Sequence, residues 1–274
     1  MRVLVTGASG GLGRYVVAEL RAFGHETLIP SSTELPVHIQ DGVARYMRDT
    51  ARLDGIVHLA ALANVDRCSD EPELAMDVNA LGAWHVARAA QGRIPLAYAS
   101  TNDVFSECDG GPFGEDRTPV PGMPYSWSKL CGEMAIVGAG GFAVRANFFT
   151  RKCNAKQSFV DYVLTSTQEG KKFNCYTNVQ ATPVHASTLA RTLVDGLLSH
   201  RSGVLHLCTS NYVHRGEQAE KILTAYGLPT DGIVPVEMIN RRGRPLDARL
   251  TSMRGGIVGT VDEEIQKLVQ AEPL

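Results

Sequence analysis

The sequence predicts an α/β protein, a doubly wound parallel sheet with a smaller C-terminal lobe. Three observations predict it. Short β-branched runs alternate with segments of helical periodicity as far as residue 209. The first run passes through a glycine-rich turn directly into a helix. After residue 150 the alternation becomes irregular, which marks inserted segments rather than a second cycle of the pattern.

The elements follow in order. Arg2–Thr6 is an apolar run closed by Gly7, a buried-strand signal. Residues 13–23 put Val16, Val17, Leu20 and Phe23 on one helical face, and Gly24 stands where a helix end favours glycine. Residues 26–29 and 56–61 read as the second and third strands, 74–90 as a helix, and 96–100 as the fourth strand. Residues 108–124 are rich in Gly and Pro and read as a long loop, of a length that is usually functional in a compact domain. Residues 125–137 are helical, 141–147 and 204–209 are strands, and 188–198 is a helix between them. Strands joined by helices imply a parallel sheet covered on both faces. The expected division is a domain of 1–150, to which 182–209 return, and a lobe of 151–181 with 210–274.

Composition narrows the class. Hydrophobic residues are 44% and charged residues 20%, enough for a sizeable core and against wholesale disorder. The formal net charge of -2 argues against a strong general attraction to nucleic acid. No apolar run approaches the ~18 residues of a membrane helix, so no membrane partner is expected. Met1-Arg2 leads straight into a strand rather than into a signal peptide, so a cytoplasmic location is expected. The 6 cysteines are dispersed without a C-x-x-C pair and read as reduced thiols. No metal site is expected.

The 7–13 segment carries the first chemistry. Gly7, Gly10 and Gly13 have G-x-x-G-x-x-G spacing between a strand and a helix. A dinucleotide needs that arrangement: a tight turn, close backbone approach to the pyrophosphate, and free N–H groups at a helix start. This makes the sheet Rossmann-type. Gly7, Gly10, Gly11, Leu12 and Gly13 are the expected pyrophosphate contacts, with Ala60 and Ala61 after the third strand. The second strand ends in Ser31-Ser32, with no carboxylate until Glu34. An acidic residue there reads the ribose of NAD. Ser31 and Arg14 therefore point to NADP, with NAD as the alternative; Arg14 as a solvated helix residue is the competing reading.

Tyr125-Ser126-Trp127-Ser128-Lys129 is a Y-x-x-x-K pattern opening a helix, so phenol and ammonium share a face. Ala99-Ser100-Thr101 ends the fourth strand and puts hydroxyls at the edge where open α/β sheets bind ligands. The set suits ketone reduction. Tyr125 gives the proton, Lys129 and the positive ring of the oxidised nicotinamide together bring the phenol pKa toward neutrality, and Thr101 orients the carbonyl oxygen.

These motifs resemble the dTDP-4-dehydrorhamnose reductase-like proteins of the extended short-chain dehydrogenase/reductase superfamily, over most of the chain. Residues 60–68, 71–75 and 78–80 are similar to the family's "AA-x-TAVD…EPE-x-A…VNA". Residues 98–105 resemble "YxSTDYVF", and 125–133 resemble "YGxSKLxGE". Gln180-Ala181-Thr182-Pro183 and Gly243-Arg244-Pro245 match "GxPT" and "xRP". The resemblance implies catalytic roles for Thr101, Tyr125 and Lys129. It implies substrate contacts for Val65, Thr101, Asn102, Asn147, Phe148 and Arg244, and a nucleotide sugar as substrate. The departures are Asn102-Asp103 in the "STDYVF" segment, Leu35-Pro36 for "LD", and Phe148 where a Trp usually contacts the sugar. They put rhamnose itself in question and leave another 4-keto sugar open.

Other residues carry two readings. His58 and His185 are expected to be structural. Arg241, Arg242 and Arg244 form either a solvated loop or a diphosphate clamp. Trp84 and Phe23 are core or interface candidates, and a homodimer is compatible with the chain. Two other functions stay open: an epimerase of the same superfamily, and a non-catalytic NAD(P)-binding regulatory subunit.

Overall fold

The structure is a computed structural model that describes residues 1–50, 52–151, 157–239 and 243–274. The first half runs β1 (Arg2–Thr6), α1 (Gly11–Ala22), β2 (Glu26–Leu28), α2 (Gln40–Asp49) and β3 (Gly55–His58). It continues through α3 (Val65–Asp70), α4 (Pro72–Ala75), a π-helical turn at Met76–Leu81, α5 (Gly82–Ala90) and β4 (Leu96–Ala99). A short 3-10 turn at Asn102–Phe105 leads to α6 (Pro124–Gly138) and β5 (Phe142–Ala146). Next come β6 (Phe148–Phe149), α7 (Phe159–Gln168), β7 (Phe173–Tyr176), β8 (Gln180–Ala181), β9 (Val184–His185), α8 (Ala186–Leu198) and β10 (Gly203–Thr209). The chain finishes with β11 (Val213–His214), α9 (Arg215–Ala225), β12 (Ile233–Val236), β13 (Asp247–Ala248), β14 (Ile257–Val258) and α10 (Val261–Ala271).

Seven parallel strands form the main sheet, ordered β14-β10-β5-β4-β3-β1-β2. The order reverses at β1, which lies between β2 and β3. Such a reversal opens a crevice at the C-terminal ends of the strands, where Gly7 follows β1 and Ala60 follows β3.

Side-chain alternation in β1 shows how the faces are filled. Val3 and Val5 join Val16 and Leu20 of α1 and Leu189 and Leu193 of α8 on one face. Leu4 points to the other face, into a core with Val86 of α5, Ile136 of α6 and Tyr98. A third core lies outside the sheet, where α7, α9 and α10 bury Val160, Leu164, Ile222, Leu223, Ile265 and Leu268. No described helix is long and apolar enough to cross a membrane. The five described cysteines form no disulfide with one another.

Several expectations need correction. The helix expected over 74–90 is present and starts earlier, at Pro72, with a π-helical turn at Met76–Leu81 inside it. Asn79 in that turn accepts from Leu62 N (2.7 Å) and donates to Leu62 O (3.1 Å) and Ser128 Oγ (2.9 Å). Phe23 and Trp84 are exposed and belong to no core. The irregular tail is ordered by α9 and α10. The start of α10 has a capping box, Thr260 with Glu263, and α7 has one in Ser158 with Asp161. The α2 helix was not expected because only Val43 of its ten residues is buried, too thin a stripe to show periodicity. The 108–124 loop is tied down. Glu115 accepts from His206 N (3.0 Å), Ser252 Oγ (2.6 Å) and Met253 N (2.9 Å).

Candidate active site

The glycine loop forms a cradle. Gly7 has φ +70°, and a Cβ there would lie 2.7 Å from the backbone of Leu59 and Ala60. A Cβ on Gly13 would lie 2.5 Å from the carbonyl oxygens of Gly7 and Ala8. Both glycines hold the turn itself together. Gly10 differs: its Cβ would meet only the Gly7 carbonyl, at 3.2 Å, and otherwise point into open space. Gly7, Gly10, Gly11, Leu12 and Gly13 wall a cavity of about 300 Å³, with Ala60 and Ala61 opposite. The cradle, the free N–H groups at the start of α1 and the crevice suit a dinucleotide pyrophosphate. Gly10→Val is expected to fold, with a melting temperature near the wild-type value, and to lose dinucleotide binding. Gly13→Val is expected to lower the melting temperature by many degrees. Thermal melts with a fluorescence titration of NADPH check both, and normal NADPH affinity in Gly10→Val would remove this loop from the site.

Tyr125 and Lys129 also line this cavity. Pro124 starts α6, where its fixed φ and missing N–H are harmless, and Tyr125 and Lys129 follow at i and i+4. Lys129 is buried and its Nζ donates to Ala99 O at 2.7 Å, 4.1 Å above the Tyr98 ring. Burial pulls its pKa down to about 7, against the raising effect of Glu133. Thr101 is buried at the end of β4. Its Oγ accepts from Asp103 N (3.2 Å), and its side chain is hydrogen-bonded to the Tyr125 phenol.

The expected lowering of the Tyr125 pKa is corrected. Burial first, then the Asp103 charge, push it up, and the Thr101 hydrogen bond only partly opposes them. Without a ligand the phenol therefore stays protonated through the neutral range.

A second cavity, of about 590 Å³, is walled in part by α7 and β7. Val65, Asn147 and Arg244 line it, together with Asp103 and Arg215. Arg244 also pairs with Asp66 at 2.6 Å. Arg241 and Arg242 lie outside the described residues. Asn102 does not line this cavity: it is buried and donates to Ala248 O at 3.1 Å. Phe148 lines the glycine-loop cavity instead. Neighbouring residues of extended chain face opposite ways, so Asn147 and Phe148 enter different cavities, whereas Asn102 is turned to Ala248 as the first residue of the 3-10 turn.

Arg14 is also placed elsewhere. Its guanidinium donates to Thr150 Oγ at 3.0 Å and pairs with Glu272, and it does not line the cavity. Glu272 is held low, near 2, as hydrogen bonds from His185, Tyr15 and Thr150 and the Arg14 charge outweigh its burial. Ser31 is exposed beyond β2.

His58 is fully buried, with Nδ1 2.7 Å from Thr6 Oγ, and burial lowers its pKa to about 3. His185 caps α8 through Ser187 N. Both occupy structural positions. Among the described residues no cluster of side chains could hold a metal ion.

The RmlD substrate binding domain model matches residues 1–262. The chain belongs to this family. It is 30% identical over 243 residues to a dTDP-4-dehydrorhamnose reductase of Mycolicibacterium smegmatis, covering 85% of this chain and 72% of that protein. A dTDP-4-dehydrorhamnose reductase from Clostridium acetobutylicum superposes with a TM-score of 0.91 at 21% identity, over 100% of both chains. Another from Bacillus anthracis, solved in complex with NADP, superposes with a TM-score of 0.90 at 23% identity, over 99% of both chains.

Three residues of this RmlD-family chain were missed as site residues in the sequence. Glu34 turns back so that its carboxylate accepts from Ser31 N and Ser31 Oγ, each at 2.8 Å. Those bonds hold its pKa below the usual range. A carboxylate thus stands beside Ser31, where spacing along the chain showed none. Asp103 is half-buried, its charge acts on Tyr125, and desolvation raises its pKa to about 6 despite the charges of Arg215 and Arg244. Arg215 opens α9 as its first residue, beneath a His214–Glu217 capping box. The H-x-x-E spacing marked a helix start, but no local signal tied it to a cavity.

Proposed function

We propose that this protein is an NADPH-dependent reductase of the ketone in a 4-keto-6-deoxy nucleotide sugar. The observation that carries the reading is Tyr125 and Lys129 together on the wall of the glycine-loop cavity, with Thr101 at the end of β4 acting on the Tyr125 phenol. Family membership over residues 1–262 supports it.

A bound dihydronicotinamide supplies the hydride. Gly10 and Gly11 leave room for its pyrophosphate, and Lys129 presents a cation on the same wall as Tyr125. Thr101 holds the Tyr125 oxygen and directs it to the carbonyl. Tyr125 then gives its proton to the oxygen as charge develops there. Asp103 keeps that proton on the phenol until it is needed. Val65 and Asn147 line the space for the sugar. The reading places the reaction in the cytoplasm, where reduced nicotinamide is supplied.

Incubation with a panel of nucleotide 4-keto sugars, followed by loss of NADPH absorbance, tests the proposal. Turnover of at least one is expected. Tightly retained NAD with no net consumption of NADPH would replace it with an epimerase or a cofactor-binding subunit.

Cofactor preference offers a separate check. The Glu34 carboxylate opposes a 2′-phosphate and occupies both Ser31 donors. Glu34→Gln is expected to tighten NADPH severalfold relative to NADH, measured by parallel fluorescence titrations. An unchanged ratio would remove Glu34 from the ribose site.

A further inference from the structure

Asp103 and Arg215 both line the second cavity, and burial dominates the ionisation of each. Neither makes an ion pair at contact distance with any described residue, although each feels the other's charge. Among the described residues the Arg215 guanidinium donates to Gln218 Oε1 at 2.7 Å and stacks 5.0 Å from the Phe159 ring centre. The Asp103 carboxylate has no hydrogen-bond partner among the described residues, although its backbone N–H is held by Thr101. Both are half-buried in the cavity wall, and a ligand that enters the cavity displaces the water there and must satisfy both charges.

The pair constrains the ligand. A phosphate or carboxylate at Arg215 would be repelled by Asp103. An apolar deoxy position would leave both groups unpaired. A hydroxyl satisfies both, because its O–H donates to the carboxylate and its oxygen accepts from the guanidinium. Vicinal hydroxyls do the same across a wider gap. Asp103 also acts on Tyr125, the acid at the carbonyl, so it lies on the side of the reacting carbon.

We propose that Asp103 and Arg215 form a sugar-hydroxyl subsite, and that the substrate keeps a hydroxyl on the carbon next to its ketone. The inference rests on the nucleotide-sugar reductase reading. Arg244, paired with Asp66, takes no part in the subsite.

The test compares a nucleotide 4-keto-6-deoxy sugar with its 3-deoxy analogue, using kcat/KM and KM for the wild-type enzyme, Asp103→Ala, Arg215→Met and Arg215→Lys. A site built to hydrogen-bond a hydroxyl rejects the analogue lacking it by far more than an apolar pocket rejects a missing methylene. Wild type is expected to prefer the hydroxylated sugar by about 10²-fold or more. Arg215→Met should lose most of that preference, through a fall in kcat/KM on the hydroxylated sugar alone, and Asp103→Ala, which also loses its hold on the Tyr125 proton, should lose it in the ratio of the two sugars. Arg215→Lys should recover part of it. A merely structural role would lower both substrates together and keep the ratio. Equal use of the two sugars by wild type overturns the subsite, as does a ratio unchanged in the variants. Turnover of neither sugar by wild type overturns the reductase reading, and the subsite with it.

Discussion

Replacing Tyr125 by Phe is expected to lower kcat by about 10²–10⁴-fold, the usual worth of a positioned acid. NADPH affinity should remain essentially unchanged. The ring keeps its packing in α6, and Lys129 keeps its bond to Ala99 O. Only the proton donor is lost. The structure sharpens this expectation, because burial and Asp103 hold the proton on the phenol, so the group is an acid before the ketone arrives. Lys129→Met should damage both binding and rate, since Lys129 brings the cation to the shared wall. Thr101→Val should slow the reaction with less effect on the cofactor. Steady-state kinetics and direct NADPH titration separate the two quantities. If Tyr125→Phe turns over its substrate at the wild-type rate, the reductase mechanism fails.

The second large effect concerns stability. Glu133 lies one turn beyond Lys129 and is buried, and so is Arg145 of β5. Their contact is bidentate, Arg145 Nε to Glu133 Oε2 at 2.9 Å and Arg145 to Glu133 Oε1 at 2.6 Å. Ser100 Oγ donates to the same carboxylate at 2.6 Å, and Arg145 lies 3.2 Å from His206 Nε2. Glu133 grips Ser100 while Lys129 grips Ala99, so both fix the strand end that carries Thr101. Removing one partner leaves the other charge buried and alone. Glu133→Ala or Arg145→Met is therefore expected to lower the unfolding free energy by about 3–5 kcal/mol. The double variant Glu133→Leu/Arg145→Met should recover much of that loss, because neither charge remains. Urea unfolding curves measure it. A single-variant loss below about 1 kcal/mol, the scale of an exposed pair, would show that the pair does not hold the sheet edge.

The candidate site was partly legible in the residues alone. The strand, the three spaced glycines and the helix after them form one continuous local unit, so their order already implied the cradle. Tyr125 and Lys129 lie four residues apart on one helix, and that spacing by itself puts them on one face. Asn79 is different. It sits 17 residues from Leu62 and 49 from Ser128, and it reaches both only because a π-helical turn redirects it.

By itself the sequence determined the parallel α/β architecture, the glycine turn between β1 and α1, and the placing of Tyr125 and Lys129 on one face of α6, because each rests on periodicity or short spacing. Only the tertiary structure decided which of two adjacent residues faces a ligand. Asn102 turns to Ala248 while Asp103 enters the cavity, and Phe148 leaves Asn147 to face the other one. It also decided that Arg14 meets Glu272, 258 residues away, and that Glu34 folds back onto Ser31. It raised the Tyr125 pKa where the neighbouring lysine had suggested a fall. The reason is common to all of these. Periodicity tells which residues alternate but not which face is buried, and charge partners and desolvation are set by segments that meet only when the chain has folded.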